Sequence, residues 1–220
     1  MKKTCFLRIA ALCLLPLLLW GCTDRTTVGM LMIGDSRTLG LAEQAELPDT
    51  HFFASVGLRI RDASTVSVSV PQVGKLGLSE LLRQQNYGKI CVMLGINELE
   101  YPLSDTAAEL EALTALLRQL QPDAELILLG NLHVTQERSS RDPICNNPAI
   151  DRLNHMIRET AREENLGYLD PNSWSDDAFG ALDPEKCSDN AHLTAASCRE
   201  WGRWLQVRLA YIRKEDAAAP

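Results

Sequence analysis

Aromatic residues are scarce: Phe, Trp and Tyr together make up 5% of the 220 residues. A core of ordinary size must then be filled by Leu, Ile, Val and Ala, within a hydrophobic fraction of 45%. Positive charge is also short. Lys and Arg number 22 against 29 Asp and Glu, a formal charge of −7, which argues against a partner such as nucleic acid, whose phosphates demand the opposite balance. Cys-x-x-Cys pairs and the Cys/His spacings of zinc sites are missing. No internal repeat and no low-complexity linker divides the chain, so its length suits one globular domain. Histidine is limited to four positions, 51, 133, 155 and 192, which makes each of them easy to weigh as a base.

One long apolar run is present, at the amino terminus. Lys2, Lys3 and Arg8 form a positive region, and residues 9–20 are apolar. That run is short for a membrane span and reads as an export signal. It ends in Leu19-Trp20-Gly21-Cys22, which resembles a bacterial lipobox; the resemblance implies lipidation of Cys22 and an exported protein anchored on the outer side of the cytoplasmic membrane. An unlipidated secretory signal and an uncleaved anchor are the alternatives. Removing residues 1–21 takes away Lys2, Lys3 and Arg8 and no acid, moving the charge from −7 to −10. The expected organisation is a signal peptide over 1–21, a tether over 22–28, one domain over 29–213 and a disordered tail, KEDAAAP, over 214–220.

Seven cysteines divide by context. Cys5 and Cys13 lie in the signal, Cys22 at its end, and Cys91 inside the apolar run KICVMLG, as a buried thiol. Cys145, Cys187 and Cys198 lie in polar surroundings, and export favours one disulfide among them. Cys187–Cys198 would close a short loop around Asp189 and His192; Cys145–Cys187, Cys145–Cys198 and no bridge are the other readings.

Beyond residue 28 the pattern alternates. Short apolar runs at 30–33, 51–56, 90–94, 126–129 and 168–170 read as strands, and residues 38–46, 76–86, 106–121, 149–165 and 194–212 as helices. The helix over 106–121 is the clearest, with Leu110, Leu113, Leu117 and Leu120 at helical spacing, Ser104 or Asp105 at its start and Pro122 beyond its end. Continuous apolar strands separated by helices predict an α/β three-layer sandwich with a parallel sheet of about five strands, covered on both faces.

In such sheets ligands collect at the carboxyl ends of the strands. Ser36 follows the first strand in GMLMIGDSRTLG and precedes a helix. There its hydroxyl faces a cleft and its N–H sits at the positive end of a helix dipole. A base is found in CSDNAHLTAASC, where Asp189 precedes His192 by three residues; a carboxylate at that spacing reaches the Nδ1–H of the imidazole and leaves Nε2 free for a serine proton. His133, after the fourth predicted strand, is the competing base. Gly57 after the second strand and Asn97 after the third add an unobstructed N–H and a side-chain amide at the same edge. With the N–H of Ser36 these are three donors for a developing oxyanion. Arg37 reads as a salt-bridge partner of Asp35 or Glu98, Asp35 as a turn cap, and Trp201 and Trp204 as packing residues of the last helix.

The order Gly34-Asp35-Ser36, then Gly57, then Gly95-x-Asn97, then Asp189-x-x-His192 resembles the SGNH, or GDSL, hydrolase family, over residues 30–200. The resemblance implies a flavodoxin-like sandwich and a serine esterase: Ser36 as nucleophile, His192 as base, Asp189 as its partner, and Ser36, Gly57 and Asn97 as the oxyanion hole. It implies no metal and no cofactor. Small acyl esters, including O-acetylated carbohydrate and lipid esters, are the expected substrates. An acyltransferase acting on sugar hydroxyls and a non-catalytic carbohydrate-binding relative are the alternatives. Two positions depart from the family's usual residues: Glu98 follows Asn97 where aspartate is common, and Leu58 follows Gly57 where a second glycine is common.

Overall fold

The computed structural model describes residues 27–212. The expected signal segment, Cys22 and the tail lie outside the described residues. Among the described residues seven strands and seven α-helices follow one another: β1 (Thr27–Gly34), α1 (Ser36–Gln44), β2 (Thr50–Ala54), β3 (Ser67–Val70), β4 (Gly74–Gly77), α2 (Leu78–Gln84), β5 (Asn86–Met93), α3 (Leu103–Leu120), β6 (Glu125–Leu129), α4 (Gln136–Arg141), α5 (Asn147–Glu163), β7 (Gly167–Leu169), α6 (Asn172–Ser175) and α7 (Ala195–Tyr211).

Five of the strands form one parallel sheet in the order β2-β1-β5-β6-β7. Its strands are apolar on both sides because both sides are covered. Along β1, Leu31 and Ile33 pack with one cluster while Met32 packs with the other. In β5, Ile90 and Val92 oppose Cys91 and Met93 in the same way, and in β6 Leu126 and Leu128 oppose Ile127 and Leu129. The first cluster is roofed by α2, α3 and α5 through Leu81, Leu113, Leu117, Leu153 and Ile157. The second is roofed by α1 and α7 through Leu41, Trp201 and Leu205. Trp201 is fully buried and stacks on Trp174 with ring centroids 6.5 Å apart, and Trp204 packs at the edge of the same cluster. This is the expected three-layer sandwich.

Several local expectations change. β1 begins at Thr27 rather than at residue 30, and Thr27 and Val28 pair with Asn86 and Tyr87 of β5; the last two residues of the expected tether belong to the sheet. Residues 76 and 77, read as the start of a helix, are strand: Leu76 pairs with Val68 in the antiparallel hairpin β3–β4, and Gly77 caps α2. Helix α3 starts at Leu103 with Pro102 at its cap, ahead of Ser104 and Asp105. α4 has no counterpart in the sequence reading, since none of its residues is buried.

Candidate active site

The end of β1 and the start of α1 meet in one tight turn. Gly34 is required there: a Cβ would lie 1.9 Å from Thr38 Oγ1 and 3.0 Å from Met93 O. Asp35 caps the helix as expected, its Oδ1 accepting the Arg37 N–H at 2.9 Å, while its Oδ2 is buried without a partner. Burial raises the Asp35 carboxyl above its ordinary range, against the opposing pull of Arg37. Ser36 is therefore the first residue of α1, where backbone N–H groups have no intrahelical acceptor.

Ser36 Oγ lies 2.9 Å from His192 Nε2, and His192 Nδ1 lies 2.7 Å from Asp189 Oδ2. The three residues expected to act together stand in one hydrogen-bonded chain, although 156 positions separate serine from histidine. Asp189 also accepts from the backbone N–H of Ala191 (3.1 Å) and His192 (2.7 Å) through Oδ1. Partial burial opposes its ionisation, but these hydrogen bonds prevail and hold its carboxyl below the usual value. Both side chains remain half open to solvent, 43% for His192 and 54% for Asp189.

The loop bearing them is closed by backbone. Cys187 and Leu193 form an antiparallel bridge, with Ser188 N donating to His192 O (2.8 Å) and Thr194 N to Lys186 O (2.9 Å). The expected Cys187–Cys198 disulfide is not formed, nor is either pairing with Cys145; all three are free thiols. Their directions explain this. Cys187 Sγ turns to Pro184 O (3.6 Å), whereas Cys198 is buried in α7 facing Gly40 of α1.

His133 does not compete as the base. Its Nδ1 lies 2.8 Å from Asp176 and its Nε2 3.0 Å from Asp151, so both ring nitrogens are engaged. Burial opposes its protonation, but the two carboxylates outweigh it and raise its pKa. Nor does Arg37 make the expected salt bridge: its buried guanidinium donates to Leu132 O at 2.9 Å, spanning from α1 to the segment after β6.

Gly57 and Asn97 follow the strands on either side of β1. Gly34 is in register with Ala54 of β2 and Met93 of β5, which brings both residues to the carboxyl edge beside Ser36. Gly57 has φ +71 and open space where a Cβ would be. Asn97 lies in a 3-10 turn, Ile96–Glu98, entered through Gly95 at φ +114. Its Nδ2 donates to Leu58 O at 3.0 Å, so one of its two amide hydrogens is committed and the other is available. The next residue, Glu98, is buried, and burial pushes its carboxyl up to about 7.

Sequence reasoning missed the asparagines that brace this edge. Asn131 N donates to Asn154 Oδ1 (2.6 Å), Asn154 and Asn172 donate to Asn131 O, and Asn147 bonds both the N–H and the C=O of Val134. Thr135 carries the bracing to the histidine loop through Asn190, by 3.0 and 2.9 Å bonds. A groove of about 500 Å³, lined by Arg138, Arg141 and Asn190 among others, opens beside Asp189. Among the described residues no cluster of three or more His, Cys, Asp and Glu side chains could hold a metal ion.

The sequence profile of a family described as GDSL-like Lipase/Acylhydrolase matches residues 32–199. Among solved structures, a Streptococcus pneumonia protein described provisionally as a platelet activating factor is similar at 22% identity and TM-score 0.65, with 86% of each chain covered. A GDSL-like lipase from Bacteroides thetaiotaomicron is similar at 14% identity and TM-score 0.59, covering 83% of this chain and 89% of that one. An acetylxylan esterase from Geobacillus stearothermophilus is similar at 17% identity and TM-score 0.56, covering 81% and 94%. At these identities the three likenesses speak for the fold. No curated protein sequence matches the chain.

Proposed function

From its membership of the GDSL-like lipase/acylhydrolase family, to which this chain belongs, we propose that it is a serine ester hydrolase working through a covalent acyl-serine. The observation that carries the reading is the chain of hydrogen bonds from Ser36 Oγ through His192 to Asp189, at 2.9 and 2.7 Å. His192 Nε2 takes the Ser36 proton as Oγ attacks the ester carbonyl. Asp189 holds the imidazole in the tautomer this needs and stabilises the imidazolium that forms. The oxyanion is met by the N–H groups of Ser36 and Gly57 and the free amide hydrogen of Asn97. The alcohol departs with the proton from His192. Water, activated by the same nitrogen, then releases the acid and regenerates Ser36.

The substrates are small acyl esters carried on larger molecules, O-acetylated carbohydrate first and lipid esters second. The half-exposed His192–Asp189 pair and the open groove beside Asp189 support an ester approaching from open solvent. The fold likeness to an acetylxylan esterase adds a reason to test acetylated carbohydrate first. The enzyme is exported and held at the outer side of the cytoplasmic membrane through Cys22; the basic and apolar residues 2–20 and the Leu19–Cys22 run support this. Among the described residues no helix is long and apolar enough to cross a membrane.

The test is a panel of aryl esters of increasing acyl length, run with and without sugar acceptors, on the protein and on Ser36→Ala. Short-chain turnover that Ser36→Ala abolishes, with the fold retained, is expected. Acyl product on the sugar would identify a transferase, silence on every ester a binding protein, and an active Ser36→Ala would overturn the nucleophile assignment.

A further inference from the structure

Glu98 takes no part in the chemistry above, yet it is one of the most completely buried acids of the chain, at 1% exposure. Its Oε1 accepts the Ile60 N–H at 2.5 Å and its Oε2 has no hydrogen-bond partner. It forms no ion pair among the described residues. The charged groups that face it are Glu109 of α3 and Arg59 and Arg61 of the loop after β2. Both arginines are engaged elsewhere: Arg59 donates to Tyr101 Oη at 3.3 Å, and Arg61 pairs with Glu109 at 2.8 Å. A carboxyl group that gives up its hydration for one backbone N–H costs the fold stability.

What the bond joins is specific. Asn97 holds Leu58 O and the next residue, Glu98, holds Ile60 N, so two consecutive residues of the turn after β5 grip alternate residues of the loop after β2. Gly57 lies in that loop, directly before Leu58. A Cβ at Gly57 would meet nothing within 4 Å, and Val56 beside it is 77% exposed. Backbone bonds flank Gly57, Ser55 N to Gly34 O at 3.3 Å and Leu58 N to Ser55 O at 3.2 Å, and Leu58 and Ile60 are buried in the core. Of these contacts, the bonds from Asn97 and Glu98 are the ones that tie the Gly57 loop directly to the turn carrying Asn97. Oxyanion donors act within a window of about 2.7–3.1 Å from the charge, and a displacement of about 1 Å can cost about 10²-fold in rate.

We infer that Glu98 is a positioning residue: by holding Ile60 N–H it fixes the Gly57 loop against Asn97, so that two oxyanion donors from different strands keep one spacing. The inference rests on the ester-hydrolase reading. It also gives a reason for glutamate at this position, since the longer side chain carries its carboxyl across to the neighbouring loop.

The test compares Glu98→Leu, Glu98→Asp and Glu98→Gln in the full chain, with turnover of p-nitrophenyl acetate counted per active site by a fluorophosphonate burst. Glutamine keeps the Oε1 acceptor and should stay within about 3-fold of the parent kcat, whereas leucine should lower kcat by about 10- to 100-fold with KM changed by less than about 3-fold. Aspartate should fall between them. Should Glu98→Leu fail to fold, the Asp and Gln variants carry the comparison. Amide hydrogen exchange supplies a readout independent of activity: residues 55–61 should exchange faster in Glu98→Leu and Glu98→Asp than in Glu98→Gln, with β6 unchanged. Parent kcat in both Glu98→Leu and Glu98→Asp, equal losses in Gln and Leu, or unchanged exchange over 55–61 would overturn the inference. Turnover surviving in Ser36→Ala overturns the hydrolase reading instead, and involves no change at Glu98.

Discussion

Replacing Glu98 by glutamine removes an ionisable group from the interior at nearly constant shape, and its effect on folding can be worked from the surroundings. Burial is the largest influence on this carboxyl. The Ile60 N–H, Arg59 and Arg61 pull the other way, Glu109 adds to the rise, and the result moves from 4.5 to about 7. Below about 4.5 the group is neutral in both the folded and the unfolded chain, and folding buries no charge. Between about 4.5 and about 7 the folded protein retains a proton that the unfolded chain has released, so stability falls as pH rises; above about 7 that contribution is gone. At about 1.4 kcal/mol per pH unit, the gap sets a ceiling of about 3 kcal/mol. Glutamine cannot ionise and escapes the loss while keeping Oε1 on Ile60. Urea unfolding of the parent and Glu98→Gln at about pH 5 and about pH 8.5 measures this. Asp35, His133 and Asp189 are present in both proteins and cancel in the difference. Glu98→Gln should gain on the parent by about 2–3 kcal/mol between the two conditions. A stability difference that does not change with pH would refute the reasoning.

Two further substitutions probe the supports of the site. Gly34→Ala drives a Cβ to 1.9 Å from Thr38 Oγ1 and forces the end of β1 away from α1. It should cost about 1–3 kcal/mol in thermal unfolding and most of the ester turnover; parent-like behaviour in both assays would contradict the close approach. Asp176→Asn weakens the clamp on His133, whose pKa is raised when folded. That stabilisation is complete below the unfolded value of 6.5 and fades as pH rises through the folded one. The variant should therefore lose about 1–2 kcal/mol more at pH 5.5 than at pH 9 by urea unfolding, and an equal loss at both would contradict the clamp.

The sheet was legible because a buried parallel strand writes a continuous apolar run, as 90–94 and 126–129 do. The hairpin β3–β4 was not, because Val68, Val70 and Leu76 are too few to show a period between Pro71, Gly74 and Gly77. α4 left no hydrophobic signal, since its six residues, QERSSR, are all polar. At the site, Asp189 and His192 could be read because three residues of chain fix their spacing, whatever the distance to Ser36. The partners of Arg37, Cys187 and Cys198 could not, because spacing says nothing about the direction of a side chain: Arg37 reaches a carbonyl 95 positions away. The braces Asn131, Asn147, Asn154 and Asn172 were also hidden. A buried asparagine that bonds backbone looks, in sequence, like any loop residue.

The central claim is that Ser36 carries the acyl group. Peptide mass mapping of the protein quenched during turnover of p-nitrophenyl acetate, and after fluorophosphonate treatment, tests it most directly. The account predicts a stoichiometric fluorophosphonate adduct on Ser36 and an acetyl adduct on the same residue, with His192→Ala slowing their formation by at least about 10³-fold. Steady ester hydrolysis with Ser36 unmodified, or an adduct on another side chain such as Cys145, would contradict it.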